Sequence, residues 1–217
     1  TTALVAQHYG SGQPNRCPVA TIQSLILAFL AVPYMVGAAA IGPAFFALFG
    51  HAAEQLALES AYFRLLMGSG IFVLARFAFT GFFAGIGRTR IVMVANAAAM
   101  LVNVGANYVL IFGKLGAPAM GIKGAALGTI LARAVGVVIL VLAYYSRTNR
   151  RQFKVHQAYT FDRRMFSKLI RFGSPAGVEL ILSTGAFNLA VQLLHSYGPN
   201  VAGAVTITFN WDIVAFI

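Results

Sequence analysis

Charged residues are scarce in this chain of 217 residues, of which 10% are charged and 59% are hydrophobic. Globular domains carry about 25% charged residues, because polar groups must cover a water-exposed surface. A tenth is too little for a water-soluble protein of this size, and apolar runs longer than about 18 residues recur along the chain. The composition therefore predicts a polytopic membrane helix bundle of the all-α class.

Cysteine and catalytic motifs are also lacking. Cys17 is the single cysteine, which excludes an intrachain disulfide and a metal cluster built on cysteines. The glycine-rich stretch 81–89 lacks the Gly-Lys-Ser/Thr ending of a phosphate-binding loop, and neither HExxH nor GxSxG occurs. The histidines are far apart in the sequence: His8, His51, His156 and His195. We therefore expect no enzyme, no resident cofactor and no histidine-based metal site.

The two ends of the sequence also lack signals. The chain begins with Thr1 rather than methionine, and no charged segment with a short apolar core precedes a cleavage site. The last residues, Phe216 and Ile217, stop inside an apolar run. We therefore expect the chain to be a fragment of a longer protein.

Six apolar segments can be marked along the chain. They cover residues 19–49, 56–84, 91–112, 122–145, 174–197 and a sixth that starts near 200 and is unfinished. Pro33 and Pro43 are expected to kink the first segment, and Pro175 to occupy the first turn of the fifth. At 1.5 Å per residue, most segments are long enough for the roughly 30 Å hydrocarbon core of a bilayer.

Basic residues outnumber acidic ones by 16 to five, and their distribution predicts an orientation. Six spans place alternate connections on opposite sides, and eleven basic residues then share one side: Arg16, Arg88, Arg90, Arg147, Arg150, Arg151, Lys154, Arg163, Arg164, Lys168 and Arg171. The opposite side has Lys114 and Lys123. The positive-inside rule makes the first side cytoplasmic, including the linker 146–172.

The linker itself predicts an amphipathic helix in its second half. Phe161, Met165, Phe166, Leu169 and Ile170 form the apolar side, opposite three basic residues. Binding to anionic lipid or RNA is one reading of this segment, and an ordinary connection on the membrane surface is the favoured one. We expect a lipid bilayer as partner and no nucleic acid.

Small and amide side chains follow helical spacings inside the spans. Glycines and an alanine recur every four residues at 124, 128, 132 and 136, and glycines at 81 and 85, which favours close helix packing. Asn103 and Asn107 each lie within about 20° of Asn96, on one helix face. That stripe either bonds neighbouring helices, which we favour, or lines a wet cavity.

Two acids within the last spans are the main candidates for function. Glu179 lies about 10 Å into the fifth span from its cytoplasmic end, and Asp212 about 18 Å into the sixth from its outer end. In a core of about 30 Å, these depths match on consecutive helices. Acids at such depth are costly and mark ion or proton pathways, so Glu179 and Asp212 are predicted to bind the coupling H⁺ or Na⁺.

Further polar residues are candidates for the wall of the same cavity: Ser183, Asn188, Gln192, Asn210, Trp211 and Arg76. Ser183 lies one turn beyond Glu179, and Trp211 could face an organic cation through its ring. The competing interpretation is a structural salt bridge between an acid and Arg76 or Arg133. For Asp212 the two interpretations are nearly even, since residues 210–212 could form a structural turn.

Several stretches resemble one family of transporters. These are GIGRTR at 85–90, NVGANYVLIFG at 103–113, GAPAMGIKGAALGT at 116–129, RFGSPAG at 171–177 and VAQHYGSG at 5–12. Together they resemble the multidrug and toxic compound extrusion family. The resemblance implies helices three to eight of twelve: residues 1–145 in the first lobe, 146–172 as the interlobe linker and 173–217 at the start of the second lobe.

The resemblance also implies a function. Members export organic, often cationic, compounds in exchange for H⁺ or Na⁺ by alternating access of two lobes, in a bacterial inner membrane, and we expect a monomer. Well-known members have a cation-site glutamate one turn beyond Glu179, where this chain has Ser183. The alternatives are a flippase for lipid-linked precursors or polysaccharides, for which Arg76 and Arg133 are the only deep cations, and a membrane enzyme or scaffold.

Overall fold

The computed structural model describes residues 1–47 and 53–215, and within these ranges the chain is helical with no strand. The helices are α1 (Thr2–Gly10), α2 (Arg16–Leu30), α3 (Val32–Ala47), α4 (Ala53–Gly68), α5 (Gly70–Gly85), α6 (Thr89–Phe112), α7 (Ile122–Tyr144), α8 (Arg147–Phe153), α9 (Arg163–His195) and α10 (Pro199–Ala215). A short 3₁₀ turn follows α8 at Val155–Gln157. The predicted all-α class is confirmed.

Five helical stretches of the described ranges are long and apolar enough to cross a membrane: Arg16–Ala44, Leu56–Gly85, Thr89–Phe112, Ile122–Tyr144 and Arg163–Leu194. They confirm a multi-pass membrane protein. The sixth predicted segment corresponds to α10, which has 17 residues.

The first two spans are each interrupted. The first span breaks at Ala31, two residues before Pro33. Proline has no backbone N–H to bond to the preceding turn, and its ring clashes with that turn in a continuous helix. The helix is therefore interrupted beside Pro33, where a kink was predicted. Pro43, the other predicted kink, lies inside α3 without an interruption. The second span breaks at Ser69, between two glycines, and the sequence reading treated this span as continuous.

The fifth span begins earlier than predicted. The expectation that Pro175 opens this helix is wrong, because α9 starts at Arg163 and Pro175 lies inside it. Asp162 caps the helix by accepting a hydrogen bond from the Met165 backbone N–H at 3.0 Å. Met165 and Leu169 are buried, which confirms the amphipathic helix predicted for the second half of the linker.

Close packing of helices depends on the small residues that the sequence singled out. A Cβ atom at Gly124 would lie 2.5 Å from the Leu110 carbonyl oxygen, and one at Gly85 would lie 2.7 Å from the Val5 side chain. Any larger residue at these positions would separate α6 from α7, or α1 from α5. The packing role predicted for the four-residue spacing is therefore confirmed at these contacts.

The chain divides into two compact units, Thr1–Leu169 and Ile170–Ile217. The core of the first unit lies at the end of the spans where the linker attaches, and Phe82, Phe83, Tyr144 and Phe153 are each almost fully buried there. The Phe82 ring contacts the other three at centroid distances of 4.8 to 5.3 Å. In the second unit, the Phe187 and Phe209 rings are 4.9 Å apart.

Candidate functional site

The residue predicted as the main coupling site, Glu179, lies exposed on α9 in the second unit, beside an open cavity of about 690 Å³. Ser183, one turn further along the same helix, lines this cavity with it, as do Pro175, Val178 and Leu182. The described lining comes entirely from α9, so the carboxylate and the hydroxyl lie on one exposed face of that helix. Such a pair of oxygen ligands suits a proton or a hard cation such as Na⁺.

Two further candidates lie on the same helix without lining this cavity. Asn188 is exposed, and its amide Nδ2 donates to the Thr184 carbonyl oxygen at 2.8 Å, a bond within its own helix. Gln192 is exposed as well. Neither residue is among the described residues that line the cavity beside Glu179. Their predicted role in a substrate cavity stays a prediction.

The candidates on α10 are described only in part. Asn210 and Asp212 lie in α10, but their side chains fall outside those that the structure describes. The Phe187 and Phe209 rings, 4.9 Å apart, are a contact between α9 and α10. Trp211 is 70% exposed. Joint binding by Glu179 and Asp212 therefore stays a prediction.

Arg76 lies on α5 and Arg133 on α7, and both side chains line one cavity of about 440 Å³ within the first unit. The cavity is lined by Val73, Arg76, Phe77, Thr80, Asn96 and Arg133. The Arg76 guanidinium donates through Nη2 to the Asn96 side-chain oxygen at 2.6 Å. Arg76 and Arg133 were expected either to pair with an acid or to act as the deep cations of a flippase, and their sharing of one cavity could not be read from the sequence.

The break in the second span is tied to this cavity. Arg133 Nη1 donates to the Ser69 hydroxyl oxygen at 2.8 Å and lies 3.5 Å from the Leu66 carbonyl oxygen. The Ser69 hydroxyl in turn donates to Leu66 at 2.9 Å. Carbonyls at the end of a helix lack intrahelical partners, so Arg133 supplies a donor where α4 stops.

The amide stripe of α6 divides between the two roles considered for it. Asn96 lines the arginine cavity, whereas Asn107 donates to Asn103 at 3.2 Å within α6 and lies against Gly128 of α7. The C-terminal part of the stripe therefore packs α6 against α7, whereas Asn96, at the N-terminal end of the stripe, faces a polar cavity.

Charges outside the spans are arranged differently. Arg16 forms an ion pair with Asp162 at 2.8 Å. The Met165 backbone N–H, with the Arg16 guanidinium as a smaller contribution, holds the pKa of Asp162 below its ordinary value. Arg88 donates to Asn149 at 2.8 Å and to Gln152 at 2.7 Å, which ties α8 to the loop before α6.

In the described ranges no three His, Cys, Asp or Glu side chains are grouped so as to hold a metal ion. Bound Na⁺ at Glu179 would need ligands beyond the Ser183 hydroxyl, since cations of this kind take several oxygen ligands.

Comparison with known proteins identifies relatives of this fold and sequence. The MatE family model matches residues 1–109. The multidrug resistance protein NorM of Vibrio cholerae is 27% identical over 221 residues, which are 99% of this chain and 47% of that protein. A probable multidrug resistance protein NorM of a Synechocystis strain is 29% identical, over 99% of this chain and 47% of its own length. The chain spans about half the length of the curated relatives it matches.

Solved structures show the same fold at lower identity. An inward-facing multidrug resistance MATE family transporter of the MOP superfamily matches 99% of this chain and 48% of its own, with a TM-score of 0.77 and 19% identity. A MOP superfamily transporter from Pyrococcus furiosus, for which reverse polarity of the binding pocket suggests a different function, matches 98% of this chain and 46% of its own, with a TM-score of 0.81 and 19% identity.

Proposed function

The chain belongs to the MatE family, and we propose that the protein carrying it is a secondary active antiporter that exports organic, often cationic, compounds in exchange for H⁺ or Na⁺. The proposal combines family membership with the multi-pass helical architecture. Curated relatives at 27 to 29% identity are named multidrug resistance proteins. The substrates are small organic molecules, and the protein works as a monomer in a bacterial inner membrane without a resident cofactor.

The observation that carries the proposal is the position of Glu179. Its carboxylate lies beside the Ser183 hydroxyl on one exposed face of α9, within a span of 32 residues. An ionisable side chain within a membrane span is costly, and it is retained where an ion or proton must bind and leave. Glu179 therefore serves as the coupling site, with Ser183 as a neighbouring oxygen ligand and Asp212 as its partner from α10.

Alternating access completes the mechanism. Residues 1–145 belong to one lobe and residues 173–217 begin the other, with the basic linker 146–172 on the cytoplasmic side. Binding of the coupling ion at Glu179 favours one access state, and binding of the organic substrate favours the other. Rocking of one lobe against the other then exchanges the two across the membrane.

The test uses inverted membrane vesicles that contain the full-length protein. Ethidium uptake is followed by fluorescence after a pH gradient and a Na⁺ gradient are imposed in separate experiments. We expect uptake under one gradient, and its loss in Glu179→Gln, because the amide cannot exchange a proton and binds cations poorly. Ser183→Ala should weaken the uptake by less.

The matched control is Asp162→Asn, which removes an acid outside the spans while keeping a side chain that can cap α9. Uptake should be unchanged in this variant. Gradient-driven uptake that survives Glu179→Gln would contradict the coupling role and leave the family assignment in place. No uptake under either gradient would favour the second function below.

The second candidate function is a flippase for lipid-linked precursors or polysaccharides, in the same superfamily. One observation favours it: Arg76 and Arg133 line a single cavity at mid-span depth. A flippase needs cationic side chains to hold a pyrophosphate, because charge-assisted hydrogen bonds from guanidinium groups match phosphate oxygens. Two arginines are few for a pyrophosphate, so the antiporter stands first.

A further inference from the structure

The arginine cavity lies near the middle of the membrane-spanning part of the first unit. Arg133 lies eleven residues from either end of the span Ile122–Tyr144, which is about 16 Å at 1.5 Å per residue. Arg76 lies nine residues before the end of Leu56–Gly85, or about 14 Å. Both positive charges are therefore far from either membrane surface, where a long side chain can no longer reach water by extending.

Such charges need a reason to persist at this depth. Insertion scales assign a cost of about 2.5 to 3.5 kcal/mol to one arginine at the centre of a spanning helix, and two neighbouring cations also repel each other. The partners of Arg76 and Arg133 are neutral oxygen atoms of Asn96, Ser69 and Leu66. Of the described residues that line the cavity, none is acidic.

Both guanidinium groups have unused hydrogen-bond capacity. An arginine carries five N–H donors, and one terminal nitrogen of each is engaged: Nη2 in Arg76 and Nη1 in Arg133. The bond to Asn96 fixes the direction of one group, and the bonds at the α4 end fix the other. Each group therefore has free donors beside one cavity, and the planar donor set of a guanidinium matches carboxylate or phosphate oxygens.

The remaining wall suits an apolar body attached to such an anion. Val73 and Phe77 lie one turn apart on α5 and line the same space, and Phe77 is 67% exposed. Thr80 adds a hydroxyl at the next turn. The interruption of the second span at Ser69, next to Arg133, is a further indication, since broken helices in transporters accompany binding sites near the bilayer midplane.

We propose that Arg76 and Arg133, with Asn96 and Thr80, form a binding site for the anionic oxygen group, carboxylate or phosphate, of an amphipathic small molecule. These residues belong to the first unit, whereas Glu179 belongs to the second. Its use during transport rests on the transporter function proposed above, whereas binding itself does not. A zwitterionic or anionic compound from water and a phospholipid headgroup share this chemistry, and the experiment separates these two sources.

The experiment measures equilibrium binding of carboxyfluorescein to the full-length protein in nanodiscs of pure phosphatidylcholine, by fluorescence anisotropy. We expect saturable binding that inorganic phosphate displaces. Arg76→Gln and Arg133→Gln should each weaken it about tenfold to a hundredfold, as expected for losing a charged hydrogen-bond donor. Arg76→Lys and Arg133→Lys keep the positive charge and should weaken it less, which shows that folding is retained.

The control is Arg64→Gln. Arg64 is an exposed residue of α4 that does not line the cavity, so this variant removes the same charge from another place. Its affinity should match that of the unaltered protein. In a second arm, a fifth of the lipid is replaced by phosphatidate. Loss of carboxyfluorescein binding there, restored by diluting phosphatidate, identifies a lipid headgroup as the natural occupant; unchanged binding identifies a soluble anion.

The proposal is overturned if carboxyfluorescein does not bind, or if the double variant Arg76→Gln, Arg133→Gln binds it as well as the unaltered protein does. Either result would mean that the two arginines do not form an anion-binding site. Failure of ethidium antiport has no bearing on this result, because binding is measured without a gradient. Conversely, antiport of ethidium through Glu179 can persist when the anion site is absent.

Discussion

Arginines in two regions of the first unit are held in different ways. At the linker end, Arg88 uses two terminal nitrogens to bind Asn149 and Gln152, and its guanidinium carbon lies 5.9 Å from the centre of the Phe153 ring. At mid-span depth, Arg76 and Arg133 each bind through a single terminal nitrogen and line an open cavity. Arg88 therefore uses both terminal nitrogens in hydrogen bonds that stabilise the fold, whereas Arg76 and Arg133 each keep one terminal nitrogen available for a ligand.

The surroundings reinforce this difference. The linker end contains the packed aromatic side chains of α5, α7 and α8, and the Asn149 amide there is almost completely buried. The cavity at mid-span is lined by half-buried and exposed side chains. We therefore expect substitutions at the linker end to change stability, and substitutions in the cavity to change binding. The following changes test this division, from the largest effect to the smallest.

Phe82→Ala should have the largest effect on stability. The side chain is fully buried and contacts three aromatic rings, so truncation leaves a cavity that costs about 3 to 5 kcal/mol of unfolding free energy. The measurement is unfolding of the full-length protein in mixed micelles. Phe29→Ala, at a position 72% exposed, is the control and should change little. Equal losses in both variants would contradict a core at the linker end.

Arg88→Ala should have an intermediate effect, about 1.5 to 3 kcal/mol, because it removes charged hydrogen bonds and leaves the buried Asn149 oxygen without its donor. Unfolding in mixed micelles again provides the measurement. Arg90→Ala removes the same charge from an exposed position nearby and should stay within about 0.5 kcal/mol. Weakened carboxyfluorescein binding in Arg88→Ala would contradict the proposed division between a region that stabilises the fold and a region that binds a ligand.

Asp162→Ala should have the smallest effect, about 0.5 to 2 kcal/mol, through loss of the cap on α9. Asp162→Asn keeps a capping oxygen and loses only the pairing with Arg16, which is 54% exposed, and should cost no more than about 1 kcal/mol. If the two variants lost equal stability, the charge rather than the cap would be the source.

The same residue predicts a pH dependence. The folded state holds the pKa of Asp162 below its ordinary value, so the folded protein takes up this proton less readily than the unfolded chain does. The contribution of Asp162 is then fully present above about pH 4 and disappears as the pH falls through the folded pKa. The free energy of unfolding, measured from pH 6 to pH 3, should fall less steeply in Asp162→Asn than in the unaltered protein.

Several features of the fold could be predicted from the sequence. The apolar runs indicated a multi-pass helical bundle, because their composition and length suit a bilayer. The spacing of Gly124 and Gly128 indicated close packing, and the alternation of apolar and basic residues indicated the helix that includes Met165 and Leu169. Each of these signals is local, since it depends on side-chain type and position along one helix.

Other features could not be predicted in this way. The start of α9 at Arg163 escaped a reading by hydropathy, because its first turns are rich in basic residues and are stabilised by a cap and by burial against other helices. The break at Ser69 escaped it as well, since the donor that binds the end of α4 comes from Arg133, 64 residues later. Glu179 and Ser183 lie beside each other, as one helical turn requires, and their joint role in coupling stays a prediction.

The sequence by itself determined the membrane class, the approximate spans and the residues whose charge is costly at depth, because each depends on local composition. Only the tertiary structure decided which of those residues share a space. Arg76 of α5 and Arg133 of α7 lie 57 positions apart, and no periodicity connects them. Packing of α5, α6 and α7 brings both side chains to one cavity, because close contact between helices fixes which faces meet.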